Sequence, residues 1–284
     1  MPSRQSIGIE GVGGALLLQR GRYRVREAAG HGDVAAAQAL RGLAFFGPGG
    51  GVDRDAMDAR CHHVLIEEIA TGTLVACFRY YWMRSGADIN RSYSAQYYNL
   101  DHLAAGLDGP SLELGRFCIR PGAGDADILR LSWGAITALV DTGAAQLMFG
   151  CASFPGTDPQ PYRAAFARLR SHHAAPERWQ IQERAPERIR FGAGLASDQG
   201  GGPDTNAARR QGAGHGVGCD AGTGDARAAM RAIPPLLRTY LGMGGWVSDH
   251  AVIDRQMNTL HVFTAVEVAT IPPARVRALR AIAG

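Results

Sequence analysis

The sequence contains no lysine, so all 30 of its basic side chains are arginines. Arginine usage alone indicates no function, because codon composition can produce it. The net charge of +4 over 284 residues is a mild excess, and it does not predict nucleic-acid binding.

The positive charge is concentrated near the start of the chain, at Arg4, Arg20, Arg22, Arg24 and Arg26. Such a stretch could dock an acidic protein or an anionic membrane surface. A solvated, partly disordered basic arm explains the same pattern, and the sequence leaves both interpretations open.

Long apolar runs are missing as well. Within residues 1–22 the apolar run covers only residues 15–18, too few for a signal peptide or a membrane span. We therefore expect a cytoplasmic protein.

The five cysteines are an odd number and have no C-x-x-C spacing. Cys77, Cys118 and Cys151 lie in apolar, strand-like stretches. This usage predicts buried free thiols in a reducing compartment and no metal site.

The chain is long enough for one large domain with its own core. We predict a flexible N-terminal arm over residues 1–21 and a single domain over residues 22–284. Residues 191–225 are rich in Gly, Asp, Ala, Gln and Asn and have few large apolar side chains. That composition predicts a disordered, low-complexity insert inside the domain.

Helical and strand-like patterns alternate without internal repeats, which predicts an α/β fold with a mixed sheet. Thr71-Gly72 marks the turn of a hairpin. Asp33 and Asp158 are each placed to cap the start of a helix.

Three carboxylates, Asp53, Asp55 and Asp58, fall within six residues just ahead of a predicted strand. Such a cluster is usually a solvated loop. The functional alternative is a subsite for an ammonium group, since fixed negative charge binds a cation.

Glu113 and Arg116 lie in a strand of mostly apolar residues. Side chains alternate along a strand, so Glu113 and Gly115 share one face and Arg116 points to the other unless a bulge intervenes. Burying such charges is costly unless they are paired. A structural ion pair and a functional site therefore both remain open.

Residues 149–158 combine small side chains with a tight turn. Cys151 has no local histidine pattern that would activate it as a nucleophile. The stretch instead suits a pocket wall along which a thioester could lie. Arg120 opens a glycine-containing segment ahead of a helix, which is a loose phosphate-binding pattern.

These motifs together resemble the L-ornithine N(alpha)-acyltransferases of bacterial ornithine-lipid synthesis, collinearly over residues 22–268 outside the insert. The family is related to the GNAT acyltransferases and the acyl-homoserine-lactone synthases. The matching segments are residues 53–58, 78–79, 93–95, 112–116, 149–158, 234–237, 240–241 and 251–254.

The resemblance implies a GNAT-like fold with a mixed, mostly antiparallel central sheet flanked by helices. It implies transfer of a 3-hydroxyacyl group from acyl carrier protein to the α-amine of L-ornithine, giving lyso-ornithine lipid. The donor would be the carrier-protein thioester, with no bound cofactor, and the enzyme would contact the inner membrane peripherally. Two alternatives are an acyl-homoserine-lactone synthase, which uses S-adenosylmethionine, and a catalytically impaired acyl-carrier-binding homologue.

The resemblance also suggests residue roles. Glu113 is the candidate base for the α-amine, with Arg116 as its catalytic partner, and backbone N–H groups of residues 118–120 are candidates to stabilise the oxyanion. Arg79 or Arg116 would bind the α-carboxylate, and the aspartates would bind the δ-ammonium. The expected substrate-binding residues are Asp53, Asp55, Asp58, Arg79, Cys151, Ser153 and Asp158, and Arg120 is expected to bind the donor.

Overall fold

The computed structural model describes residues 15–192 and 221–283. Its strands are β1 Leu16–Arg20, β2 Tyr23–Glu27, β3 His62–Glu68, β4 Leu74–Met83, β5 Tyr98–Asn99, β6 Ser111–Ile119, β7 Leu147–Pro155, β8 Gln182–Glu183, β9 Arg188–Arg190, β10 Trp246–Val247, β11 His250–Asp254 and β12 Thr259–Glu267. Its α-helices are α1 His31–Phe46, α2 Asp101–Gly106, α3 Ala126–Thr142, α4 Arg163–His172, α5 Ala221–Ala232, α6 Pro235–Gly242 and α7 Pro273–Ala283.

One ten-stranded sheet organises the molecule, in the order β1-β2-β3-β4-β6-β7-β12-β11-β9, with β10 paired to β12. Its ladders are antiparallel except the one between β6 and β7, which is parallel. The predicted mixed, mostly antiparallel sheet flanked by helices is confirmed.

The parallel ladder between β6 and β7 is short. It pairs residues 111–114 with residues 147–150, and beyond it the two strands no longer pair. Gly150 stands at the last pair, where an added Cβ would lie 2.3 Å from the carbonyl oxygen of Leu114. A glycine therefore allows the closest approach just before the sheet opens.

A bulge in β6 turns Arg116 toward the same face as Glu113. Arg79 of β4 pairs with Gly115 and Cys77 pairs with Cys118, so two residues of β6 oppose one of β4. Arg116 takes the left-handed conformation, with φ of 53°. The bulge is the exception to strand alternation that the sequence had left open.

Helices and loops cover both faces of the sheet. On one face α3, α4 and α6 bury apolar residues against it, including Ile136, Phe166 and Leu237. On the other face lie α1, through Ala37 and Leu40, and the segment of residues 84–107. Charged side chains that lie between α1 and residues 84–107 extend to the opening of the sheet between β6 and β7.

Most predicted elements are confirmed, including the hairpin of β3 and β4. Asp33 does not cap α1: it lies inside the helix, where its carboxylate binds Arg26 at 2.6 Å and accepts from Ala29 N. The prediction of a flexible arm over residues 1–21 fails at its end, because residues 16–20 form edge strand β1. Residues 193–220 of the predicted insert lie outside the described residues, and α5 begins at Ala221. No helix in the described ranges has the length and hydropathy needed to cross a membrane.

Candidate active site

A cavity of about 540 Å³ opens where β6 and β7 separate. This volume is typical of small-molecule sites. One part of its wall is polar, formed by Arg79, Tyr93, Glu113, Arg116, Asp254 and His261. Another part is apolar, formed by Phe78, Phe117, Ile136, Leu236, Leu237 and Tyr240.

Beside the polar wall, three arginines and three aspartates alternate in a closed ring of ion pairs. Each arginine contacts two aspartates and each aspartate contacts two arginines. In order around the ring they are Arg41, Asp53, Arg116, Asp55, Arg79 and Asp58.

Arg41 of α1 and Arg79 of β4 hold the buried side of the ring. The Arg41 guanidinium donates to both oxygens of Asp58, at 2.9 and 2.8 Å. Arg79 donates to both oxygens of Asp55, at 2.6 and 2.7 Å, and to Asp58 at 2.6 Å. Arg41 Nε also lies 2.7 Å from Asp53 Oδ2, although its N–H is not aligned for a hydrogen bond. Bidentate pairs of this kind fix both partners in orientation.

Arg116 completes the ring on the cavity side. Its Nε donates to Asp53 at 3.0 Å and its Nη2 to Asp55 at 3.2 Å. The Tyr93 ring lies under both Arg116 and Arg79, with the guanidinium carbons 5.0 and 5.6 Å from the ring centroid. The bulge in β6 is what brings Arg116 within reach of these partners.

The ring favours the ionised forms of Asp55 and Asp58. Burial by itself raises the pKa of Asp58, but hydrogen bonds from Arg41 and Gln38 outweigh it and hold the pKa well below its usual range. Burial likewise opposes ionisation of Asp55, and the hydrogen bond from Arg79 lowers its pKa. Six charges cancel within the ring, so it carries no excess negative charge for a cation.

This pairing changes the interpretation of the aspartate cluster. Asp53, Asp55 and Asp58 do converge with Arg79 and Arg116, but the three aspartates do not line the cavity. Arg79 and Arg116 are the ring members that line it, and each carboxylate is turned toward two guanidinium groups. A direct contact between one of these aspartates and a substrate ammonium group stays a prediction, and it requires that an ion pair of the ring opens.

Glu113 is buried and anchors the segment that follows residue 91. Its carboxylate accepts from Tyr93 N at 2.8 Å, from Ser94 N at 2.7 Å and from Ser94 Oγ at 2.7 Å. Burial raises the pKa of Glu113, while these hydrogen bonds act in the opposite direction. The carboxylate therefore combines raised basicity with a fixed position at the cavity wall.

Cys151 and Ser153 line the cavity as predicted, on β7 beyond the end of the parallel ladder. The Cys151 sulfur lies 3.5 Å from Ser94 Oγ. Burial raises the pKa of the Cys151 thiol to about 12, so it is protonated at neutral pH and is a poor nucleophile.

Two predicted residues lie away from the cavity. Asp158 is exposed and accepts from Gln160 N at 3.0 Å, which caps a short turn of residues 160–162 rather than helix α4. Arg120 donates from Nε to the Leu74 carbonyl at 2.8 Å. The amide of Arg120 pairs with Val75 O at 2.7 Å, so it is not free to stabilise an oxyanion. Neither Asp158 nor Arg120 lines the cavity.

The start of α3 already holds an anionic side chain. Asp125 Oδ1 accepts from Asp127 N at 2.8 Å, and Asp125 Oδ2 binds Arg22 at 2.8 Å and Tyr23 Oη at 3.0 Å. The helix N-terminus behind Arg120 is therefore occupied where a phosphate would otherwise bind.

The arginines near the start are mostly paired within the sheet. Arg24 and Arg26 both bind Glu67, at 2.7 Å, and Arg22 binds Asp125. These pairs reduce the positive charge that the sequence suggested for a docking arm. Arg4 lies outside the described residues.

Among the charged residues and histidines of the described cavity wall and ring, three were given no role from the sequence: Arg41, Asp254 and His261. Arg41 is a lone arginine in an alanine-rich helix, and its pairing depends on a loop that follows it in the chain. Asp254 ends β11 and the family-matching segment of residues 251–254, and His261 is the third residue of β12, where only a strand pattern surrounds it. A charged residue at the end of an apolar strand was the one local signal for Asp254.

The chain is similar to known acyltransferases. A family model described as an acetyltransferase (GNAT) domain matches residues 44–134. An L-ornithine N(alpha)-acyltransferase from Rhodobacter capsulatus is 29% identical over 260 residues, covering 86% of this chain and 90% of that protein. One of the same name from Brucella abortus is 27% identical over 278 residues, covering 91% of this chain and 89% of that protein.

Solved structures show weaker likeness. Arginine/ornithine succinyltransferase subunit AI from Pseudomonas aeruginosa is 12% identical, with a TM-score of 0.43, over 91% of this chain and 79% of that chain. At that level of likeness nothing follows for the site.

The chain is an acyltransferase with a GNAT-like fold, as the mixed sheet and the matching domain model show. Its relatives within that class are the L-ornithine N(alpha)-acyltransferases, four of which match at 26–29% identity. The family resemblance seen in the sequence motifs is confirmed.

Proposed function

We propose that this acyltransferase moves a 3-hydroxyacyl group from acyl carrier protein to the α-amine of L-ornithine, with lyso-ornithine lipid as the product. Ornithine is the acceptor named for the relatives. The observation that carries the proposal is the cavity between β6 and β7, which combines a charged wall with an apolar one.

The apolar wall supports a fatty acyl group. Leu237 is fully buried, and Phe78 and Ile136 are each 2% exposed, so these side chains form a dry surface of the core. Apolar lining stabilises a hydrocarbon chain in proportion to the area removed from water, about 25 cal/mol per Å². A lipid tail would lie there, with its thioester near the strand opening.

The reaction needs an unprotonated amine. The α-ammonium of ornithine first gives up one proton, and its nitrogen then forms a C–N bond to the thioester carbonyl. The C–S bond breaks, the amine loses its second proton, and the sulfur leaves as a thiol. Amide, thiol and a proton on the accepting base balance the step.

Glu113 is the proposed acceptor of the first proton, directly or through a water. Burial raises its pKa, which favours proton acceptance, and its three hydrogen bonds fix its position. Arg116 is the proposed contact for the α-carboxylate, because it lines the cavity and its side chain is 13% exposed, against 3% for Arg79.

Acyl carrier protein is the proposed donor, rather than free coenzyme A. The Asp125 carboxylate at the start of α3 disfavours nucleotide phosphates at that helix. Peripheral contact with the inner membrane is part of the proposal because the product is amphiphilic and partitions into lipid.

The test incubates purified protein with 3-hydroxyacyl carrier protein and L-ornithine, and detects the ornithine amide by mass spectrometry. Parallel reactions offer S-adenosylmethionine as the amine, or acyl coenzyme A as the donor. Acylation of ornithine supports the proposal. A homoserine lactone product, or carrier binding without consumption of ornithine, contradicts it.

Glu113→Gln tests the base. We expect a loss of turnover on the order of 10²- to 10⁴-fold with folding retained. Ser94→Ala is the matched variant, since it removes one hydrogen bond to Glu113 and leaves the carboxylate. Undiminished turnover of a folded Glu113→Gln protein would exclude this role.

A further inference from the structure

Asp254, at the end of β11, is a carboxylate in the cavity wall that has no cationic partner among the described residues. The residue is 7% exposed, and its Oδ1 accepts from Met257 N at 3.0 Å. Across residues 15–192 and 221–283, Oδ2 has neither an ion pair nor a hydrogen bond. The ring aspartates, in contrast, each have two arginines.

His261 of β12 lines the same cavity, and one of its ring nitrogens has no hydrogen-bond partner in the described part of the chain. Tyr98 Oη lies 2.8 Å from the His261 carbonyl oxygen and 3.0 Å from His261 Nδ1. A carbonyl can only accept, so the Tyr98 proton goes to it and Nδ1–H donates to Tyr98. Nε2 then carries a lone pair, and this buried atom has no partner among the described residues.

The two groups lie on one face of the sheet. Val252 pairs with His261 and Asp254 with Thr259, so Asp254 and His261 are diagonal neighbours on adjacent strands. Diagonal residues of an antiparallel pair are roughly 7 Å apart at the backbone, so the ends of their side chains are within reach of one another and can converge on one ligand atom. His261 also pairs with Ser153, close to where β6 and β7 part. The Tyr97 ring borders this space, 4.8 Å from the His261 ring.

We propose that Asp254 and His261 form the subsite that binds the side-chain ammonium of the acceptor amino acid. This deepens the proposed function and rests on it. The ammonium donates one hydrogen bond to Asp254 Oδ2 and one to His261 Nε2, which supplies each with a missing partner. The negative charge of Asp254 matches the cation, while the ion-pair ring is already neutral.

The state of His261 suits this role. Burial lowers the pKa of His261 to about 4, so the imidazole is neutral at neutral pH and accepts rather than repels a cation. An acceptor without the second amine would leave both protein groups unpaired. A site built to bind a polar group rejects an analogue that lacks it.

The test compares L-ornithine with L-norvaline, which has the same carbon skeleton without the δ-amine. Steady-state kcat/KM is measured for both with the wild-type enzyme and with Asp254→Asn, using the same acyl carrier thioester. Asparagine keeps an oxygen for Met257 N, and thermal unfolding checks that the variant folds. We expect kcat/KM for ornithine to fall about 10- to 100-fold, as for a lost charge-assisted hydrogen bond, and kcat/KM for norvaline to stay unchanged.

Asp127→Asn, on the exposed start of α3, is the control and should leave both values unchanged. If Asp254→Asn does not fold, His261→Gln is compared in the same way. An equal loss for both acceptors, or a wild-type enzyme that does not prefer ornithine, would overturn the subsite while leaving acyl transfer intact. A wild-type enzyme that acylates neither amino acid would overturn the proposed function itself.

Discussion

Replacing Asp58 by asparagine is expected to lower the free energy of unfolding by about 3–5 kcal/mol, the cost typical of breaking a buried ion pair. The Asp58 carboxylate accepts from Gln38, twice from Arg41 and once from Arg79. Arg41 and Arg79 are only 1% and 3% exposed. Asparagine keeps the shape but removes the charge, and its NH₂ group faces guanidinium donors.

The size of the effect follows from burial. An exposed pair such as Asp127–Arg130, with side chains 60% and 56% exposed, contributes about 0–1 kcal/mol. Asp127→Asn is therefore the matched control. Urea-induced unfolding followed by circular dichroism gives both values. A loss below about 1 kcal/mol for Asp58→Asn would show that the ring relaxes or hydrates, and the reasoning would fail.

The pH dependence gives a second check. The folded pKa of Asp58 lies below 3.8, the ordinary value of an aspartate side chain, so the contribution of its carboxylate to stability is present above that pH and is lost as pH falls through the folded pKa. The stability difference between wild type and Asp58→Asn should be constant near neutral pH and should shrink below about pH 4. A difference that grows on acidification would contradict the ion-pair account.

Three further substitutions test the cavity. Gly150→Ala should lower the free energy of unfolding by about 1–3 kcal/mol and reduce turnover, because the added Cβ meets the Leu114 carbonyl and pushes β6 away from β7. Gly124→Ala is the control: the space around Gly124 is open, so neither the free energy of unfolding nor turnover should change in the same thermal melts and activity assays. Cys151→Ala should keep most of the wild-type turnover, because a protonated thiol is no nucleophile, and a complete loss would contradict this. Leu237→Phe should shift the preference toward shorter acyl chains in a competition between thioesters, and an unchanged preference would place the tail elsewhere.

Strand and helix patterns were sufficient to predict most of the fold. The hairpin of β3 and β4, the strand that carries Glu113 and the helix after it depend on local periodicity and turn residues, and each is present. Asp33 was misassigned because an N-cap pattern competes with the long-range pair to Arg26, which the local sequence does not show.

The candidate site was predicted in part. The fold brings Glu113, Arg116, Arg79, Cys151 and Ser153 to one cavity, and their roles in catalysis and binding stay predictions. Asp158 and Arg120 lie away from it because a local turn and a neighbouring strand take up their polar groups. The role of the aspartates depended on which side chains would pair with them across the fold.

The sequence by itself established that charged residues are grouped next to apolar strands, and that the motifs they form resemble those of one family. Folding decided how the charges pair, because the bulge that aims Arg116 and the distant Arg41 of α1 close a neutral ring around the aspartates. It also left Asp254 Oδ2 and His261 Nε2 without partners in the part of the chain that the structure describes, since those strands meet only in the assembled sheet. The sequence determines which charged and polar groups are present, and contacts between distant segments determine which of those groups remain free to bind a ligand.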